Sequence, residues 1–158
     1  MSIVEKTYSI GIGNSGEYFV AAELERRGFT AAVPMSNTKD FDILAINRET
    51  NRQVALQVKT SRGKTKSWIL GKKNETLEDD NIYYVLIALN ELDTPDYYII
   101  ESKYIAESLS KGYQMWLNEE GKNHKDTSMR KFTFDVQGVD NIRGLKSEDF
   151  KSRWDKLK

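Results

Sequence analysis

Asp42, Gln57 and Lys59 are the residues of this chain whose types and spacing could carry chemistry. They lie in two apolar, β-branched runs, Phe41 to Ile46 and Gln53 to Ser61, which flank the polar loop Asn47 to Arg52. That pattern reads as two antiparallel strands joined by a hairpin. Strand side chains alternate between faces, so Asp42, Leu44 and Ile46 share one face, and Gln53, Ala55, Gln57 and Lys59 share one face of the second strand. A symmetric hairpin pairs Ile46 with Gln53, Leu44 with Ala55, Asp42 with Gln57 and Asp40 with Lys59. Directly opposed residues place their Cβ atoms roughly 4.5–5.5 Å apart. A carboxylate, an amide carbonyl and an ammonium then converge at one end of the hairpin, provided that no slip or bulge intervenes.

A second candidate precedes the hairpin. Gly11-Ile12-Gly13-Asn14-Ser15-Gly16 has the spacing of a dinucleotide-binding glycine loop,. That reading needs a buried strand before it and a helix after it, and Glu5 to Ser9 do not read as a core strand. The alternative is a turn that starts a helix, from about Ser15 to Arg27 and ended by Gly28. Glu17, Val20, Ala21 and Leu24 form one face of that helix, and Glu23 and Arg27 make an i,i+4 pair. Glu17 is therefore an acid on an apolar face. Either Asn14 and Glu17 form a capping box, or Glu17 is a carboxylate turned to an active centre.

The run from Lys59 to Lys73 holds Lys59, Arg62, Lys64, Lys66, Lys72 and Lys73 and no acid. It reads as a solvated loop or as a phosphate-contacting surface. Trp68 within it either stacks on a base or belongs to the core. His124, the only histidine, falls in a polar loop and reads as solvated.

The other elements must position these groups. Strands are expected at Phe29 to Met35, Ser67 to Leu70, Tyr83 to Leu89, Tyr97 to Ile100 and Phe132 to Val136. Helices are expected from Ser102 past Gly112 to Trp116 and from Ser147 through Phe150, Trp154 and Leu157. No repeat or linker interrupts the 158 residues, which fit one domain,. Lys and Arg together number 24, as do Asp and Glu, so the net charge is zero and no uniformly basic nucleic-acid coat is present,. Without cysteine there is no disulfide framework and no thiolate zinc site,. The longest apolar run, Tyr83 to Leu89, is too short to span a bilayer. These features lead us to expect a cytoplasmic protein with no membrane partner.

The order helix, three strands, connection, strand, carrying Glu17, Asp42 and Gln57-Val58-Lys59, resembles the PD-(D/E)xK nuclease superfamily. Mrr-type restriction enzymes and archaeal Holliday junction resolvases share this restriction-endonuclease-like fold. The likeness covers roughly Asn14 to Asn90. Phe41 stands where the pattern has proline, and Gln57 stands at the second acid, as in QxK variants. The resemblance implies a three-layer α/β fold, a central mixed sheet of about five strands flanked by helices. The core would run over about 14–118, with an α-helical C-terminal extension over about 119–158. It implies Mg²⁺, or Mn²⁺, on Asp42, Gln57 and the Val58 carbonyl, with Glu17 binding a second ion or its water shell, and Lys59 orienting the attacking water or stabilising charge on the phosphate. It also implies Asp42 and Gln57 facing the helix that carries Glu17, DNA as partner across Arg62, Lys64, Lys66, Trp68, Lys72 and Lys73, and a homodimer as the default assembly. The function expected is Mg²⁺-dependent DNA endonuclease of repair, recombination or restriction. The alternatives are a nuclease-fold module that only binds DNA or a protein, and a nucleotide-binding protein using the glycine loop.

Overall fold

A computed structural model describes residues 2–35, 41–136 and 144–158. Helix α1 spans Ile3–Arg26, far longer than the glycine-limited segment expected from the sequence. Its start is fixed by a capping box: the Ser2 hydroxyl accepts the Glu5 amide at 3.1 Å and the Glu5 carboxylate accepts the Ser2 amide at 2.6 Å. Those two reciprocal bonds satisfy amides that a helix start otherwise leaves unpaired. Gly11, Gly13 and Gly16 thus lie inside the helix, where each costs about 1 kcal/mol relative to alanine,. The glycine-loop reading is overturned, because no loop opens toward a phosphate there. The Asn14 cap for Glu17 falls with it, since Asn14 is in mid-helix. The helix does stop where expected, with Gly28 at φ +90°, and the Glu23–Arg27 pair forms at 3.0 Å.

Strand β1 (Phe29–Ala32) pairs antiparallel with β2 (Ile43–Asn47), and β2 pairs antiparallel with β3 (Gln53–Ser61). The chain then leaves this sheet through β4 (Ser67–Gly71) and a 3₁₀ turn, Lys72–Glu75. It returns as β5 (Ile82–Ala88), parallel to β3, followed by the antiparallel edge strand β6 (Asp96–Glu101). The mixed five-stranded sheet has the order β1-β2-β3-β5-β6. Helix α2 (Ser102–Leu117) follows, and β7 (Met129–Thr133) pairs with β4 in a separate two-stranded sheet.

Alternation along the strands sorts the apolar residues onto two faces. Val54, Leu56, Val58, Val85 and Ile87 pack with Val20 and Leu24 of α1. Tyr84, Leu86 and Ala88 pack with Ile105 and Leu109 of α2 and with Trp68 and Phe132 of the small sheet. This is the layered mixed-sheet architecture expected from the sequence.

The C-terminal segment departs from expectation. Among the described residues from 119 onward there is a strand and two 3₁₀ turns, Ser147–Asp149 and Trp154–Leu157, in place of an α-helical extension. Phe150 joins the α2-side cluster, whereas Trp154 and Leu157 join the α1-side cluster. One helix face could not reach both. The tail instead crosses the sheet edge, bridging Tyr98 at Lys151, with the Ile99 amide donating to Phe150 O at 3.0 Å. No helix among the described residues is long and apolar enough to cross a membrane.

Candidate active site

The hairpin register is as read for its inner pairs: Ile46 faces Gln53 and Leu44 faces Ala55. The ladder ends at Ile43–Leu56, so Asp42 is not paired with Gln57 in it. Asp42 departs from the register there. Its amide donates to Leu56 O at 2.8 Å, and its Oδ2 accepts the Val58 amide at 2.7 Å. Asp40, the expected partner of Lys59, lies outside the described residues.

This early end of β2 creates the site. A strand residue sends its N–H and C=O toward one neighbour, and successive residues alternate. Ala55 and Ser61 bond toward β5, through Ala55 N to Asn81 O and Leu89 N to Ser61 O, both 2.8 Å. Leu56, Val58 and Thr60 therefore present their backbone groups to the β2 side. Beyond Ile43 no strand of the described residues lies on that side. The Asp42 carboxylate takes the Val58 N–H in its place, and the Val58 carbonyl is directed to the same open edge.

Gln57 and Lys59 are in register with Tyr84 and Leu86, hence on the α2 side of the sheet. Helix α1 covers the other side, so the expectation that Asp42 and Gln57 face the helix carrying Glu17 is corrected. Glu17 is still brought to the group, because α1 lies tightly over the end of β3. A Cβ on Gly16 would stand 1.9 Å from Thr60 Oγ1, so only glycine permits this approach. The next residue, Glu17, lies close enough to feel the Asp42 and Lys59 charges.

The charges sense one another there. Burial raises the Glu17 pKa, the Asp42 carboxylate raises it further, and Lys59 opposes both. Burial lowers the Lys59 pKa; Asp42 and Glu17 hold it up, while Lys73 pushes it down. Asp42, Glu17, Lys59 and Lys73 thus share one electrostatic neighbourhood. Gln57 is buried, at 4 % exposure. No group of three His, Cys, Asp or Glu side chains suited to a metal occurs among the described residues. Asp42 and the Val58 carbonyl at the edge, with Glu17 in electrostatic range, are oxygen donors of the kind that suit a hard divalent cation,.

Tyr84, beside Gln57 in the ladder, was not singled out from the sequence. Burial pushes its hydroxyl up to about 12, against the hydrogen bond from Asn74 and with the Asp42 charge adding to the rise. Asn74 Nδ2 donates to that hydroxyl at 2.7 Å, and Asn74 Oδ1 accepts the Gly71 amide at 2.9 Å. This buried chain braces the floor under Gln57. Only the parallel pairing of β3 with β5 reveals it; the spacing of Tyr84 from Gln57 carries no such signal.

The basic run is divided by the fold. Arg62 pairs with Glu91 at 2.8 Å and lies over the Tyr8 ring. Lys66 pairs with Asp135 at 2.7 Å. Burial would raise the Asp135 carboxyl, but the bonds from Lys66 and Ser147 outweigh it and hold the group at about 2. Trp68 is 2 % exposed and donates from Nε1 to Ile87 O at 3.0 Å, so it is core and not a base-stacking surface. Lys72 and Lys73 lie on the 3₁₀ turn, and Lys73 is the member of the run felt at Lys59. Lys64 is an exposed side chain in the loop before β4. His124 is stacked on Trp116 and bonded to Glu119, away from this group.

No protein-family model matches the chain, and no curated protein matches its sequence. Two solved structures resemble it. One is a bacterial homing endonuclease, I-Ssp6803I, with 13 % identity over 91 % of this chain and 86 % of that one, at a TM-score of 0.52. The other is Hjc, a Holliday junction resolvase from the archaeal hyperthermophile Archaeoglobus fulgidus, with 18 % identity over 77 % of this chain and 83 % of that one, at 0.46. With the strand order of the five-stranded sheet, the chain has the restriction-endonuclease-like fold.

Proposed function

We propose that this chain is a metal-dependent DNA endonuclease whose centre is the open edge of β3. The observation that carries the reading is the Asp42 carboxylate seated on the Val58 amide beyond the end of β2, within electrostatic range of Lys59 and Glu17. Asp42, Glu17, the Gln57 amide oxygen and the Val58 carbonyl would hold Mg²⁺ or Mn²⁺. When bound, such an ion lowers the pKa of its water and neutralises the scissile phosphate. The chain's own groups do the rest. Asp42 is fixed by its backbone bond, so it meets a cation without reordering. Lys59 is half-buried, and an ammonium withdrawn from water acts more strongly on charge that develops on a phosphate. Gln57 offers an oxygen but no charge, which leaves the two acids to balance the ion.

Lys64, Lys72 and Lys73 are the proposed phosphate contacts; Arg62 and Lys66 already have acidic partners. Neutralising Lys64, Lys72 and Lys73 should weaken binding across unrelated sequences and flatten its salt dependence, whereas Lys66→Ala should change the slope little. An unaltered slope in the triple variant would return these residues to the status of solvated loop. Gln57, an uncharged amide where an acid would serve a metal better, favours a second reading, a module that binds DNA without cutting it,. Plasmid, linear, nicked and branched DNA incubated with Mg²⁺ or Mn²⁺ separates the two: binding with no cut product on any substrate selects the second.

The reading takes residues 1–158 as one domain, with a core that begins at α1 and not near residue 14. It also takes a second copy of this chain as partner for the N-terminal half of α1. Ile3, Val4, Tyr8 and Ile10 are exposed there, and Glu5 and Lys6 can pair reciprocally across a twofold axis,. Sedimentation should give a dimer that Ile10→Glu dissociates; a wild-type monomer at the concentrations used for DNA binding removes this element.

A further inference from the structure

Between α2 and β7 lies a cavity of about 340 Å³, lined in part by Ser108, Leu109, Tyr113, Trp116, Met129 and Lys131. The hairpin-edge site does not use it. Its volume is at the lower end of the range of ligand pockets, roughly 300–1,000 Å³.

Its aromatic walls are held rigidly. The Tyr113 hydroxyl donates to Asp126 Oδ1 at 2.7 Å and accepts the Thr127 amide at 2.7 Å. The Arg130 guanidinium lies 3.3 Å from the Tyr113 ring centroid and is itself buried against the Glu75 carboxylate. Trp116 is stacked on the His124 ring at 4.1 Å and 20°, and His124 is bonded to Glu119 at 2.8 Å. Trp116 is nonetheless 39 % exposed, with Tyr113 5.4 Å away. A ring braced on one side and open on the other is a preorganised stacking surface. At the wall of the cavity stands Ser108, a hydroxyl-bearing residue only 9 % exposed.

The 3₁₀ turn Lys72–Glu75 ties this cavity to the proposed active site. Lys73 acts on Lys59, Glu75 holds Arg130, and the Lys72 amide donates to Ser128 O at 2.9 Å. Lys131 lines the cavity and is exposed, and Lys72 stands on the adjoining turn. A planar ligand with polar edges, attached to a phosphate chain that runs over that turn, matches the aromatic walls, the Ser108 hydroxyl and the cations together.

We propose that this cavity takes one unstacked base of the DNA, so that the preferred substrate carries an extrahelical base near the cleaved strand. The inference rests on the endonuclease reading and names its substrate class. Trp116 supplies the stacking face, Ser108 a hydrogen bond to the base edge, and Lys131 a phosphate contact.

The test measures binding to a duplex with one bulged 2-aminopurine and to its fully paired counterpart, in Ca²⁺. The wild type should prefer the bulged duplex roughly 10-fold, the scale of one base–aromatic stack, and should quench the 2-aminopurine. In Trp116→Ala the ratio of the two affinities should fall to about one; Trp116→Phe should keep most of it. Equal wild-type affinity for both duplexes, or an undiminished ratio in Trp116→Ala, overturns the proposal. If Trp116→Ala binds neither duplex, the Phe variant decides by whether it keeps the preference. Paired DNA bound and cut without any bulge preference sinks the cavity proposal alone; binding of neither duplex by the wild type sinks the endonuclease reading with it.

Discussion

Lys59→Ala should lower Mg²⁺-dependent DNA cleavage by about 10²–10³-fold, the usual cost of losing one group aimed at charge that develops during reaction. Binding of DNA should change far less, because one phosphate contact among several contributes modestly. The structure sharpens the reason. Lys59 is withdrawn from water at the end of β3, its pKa lowered first by burial and only partly restored by Asp42 and Glu17. A lowered lysine pKa means that its charge is a cost to the folded protein. Its stabilising contribution is present above the unfolded pKa and is lost as pH falls through the folded one. At neutral pH, therefore, Lys59→Met should not destabilise the fold, while still abolishing the rate contribution. Single-turnover cleavage and thermal unfolding measured on the same samples separate the effects. A Lys59 variant that cuts as fast as wild type removes Lys59 from the centre.

Asp42→Ala should bring Mg²⁺ and Mn²⁺ binding below detection in calorimetry. The loss should exceed the roughly 10–100-fold typical of partners one layer further from a metal. The same substitution strips the acceptor from the Val58 amide, and a buried donor left unpaired costs about 1–3 kcal/mol. Asp42→Asn divides the two roles. Its amide oxygen can still take the Val58 N–H, so stability should be retained while the charge that holds the ion is gone. Equal metal binding by wild type and Asp42→Asn would place any ion elsewhere. Glu17 adds a pH signature. Because its pKa is raised, metal affinity should fall as pH drops through that raised value, and Glu17→Gln should move this acid limb to lower pH,. Its stabilising contribution is present below the unfolded pKa and lost as pH rises through the folded one, so Glu17→Gln should not weaken the metal-free fold at neutral pH.

Much of this centre was legible because hairpin pairing is a local property. The loop from Asn47 to Arg52 sets the register of Ile46 with Gln53, and alternation then carries Asp42 and Lys59 toward one end,. What alternation could not show was where the ladder stops. The end of β2 at Ile43 turns Asp42 from a strand residue into a cap on Val58, and that break opens the edge. The side of the sheet that α1 covers was equally hidden, since it depends on the close approach of Gly16 to Thr60, 44 residues apart in sequence. The start of α1 is written in the sequence as Ser2-x-x-Glu5, but three glycines, at 11, 13 and 16, follow it and mask the helix that begins there. Trp68 sits in a basic run yet is core, because β4 turns it toward Tyr98 and Phe134. The C-terminal spacing of Phe150, Trp154 and Leu157 fits a helix equally well; only the edge of β6 decides that they divide between two faces.

Cleavage of supercoiled plasmid in Mg²⁺ by wild type and by Asp42→Asn, compared at equal folded concentration and saturating DNA, tests most directly whether the open edge of β3 is a nuclease centre. Wild type should nick or linearise the plasmid, chelator should stop it, and Asp42→Asn should bind the plasmid and leave it intact. Cleavage by Asp42→Asn at the wild-type rate, or none by wild type in Mg²⁺ or Mn²⁺, would contradict the assignment.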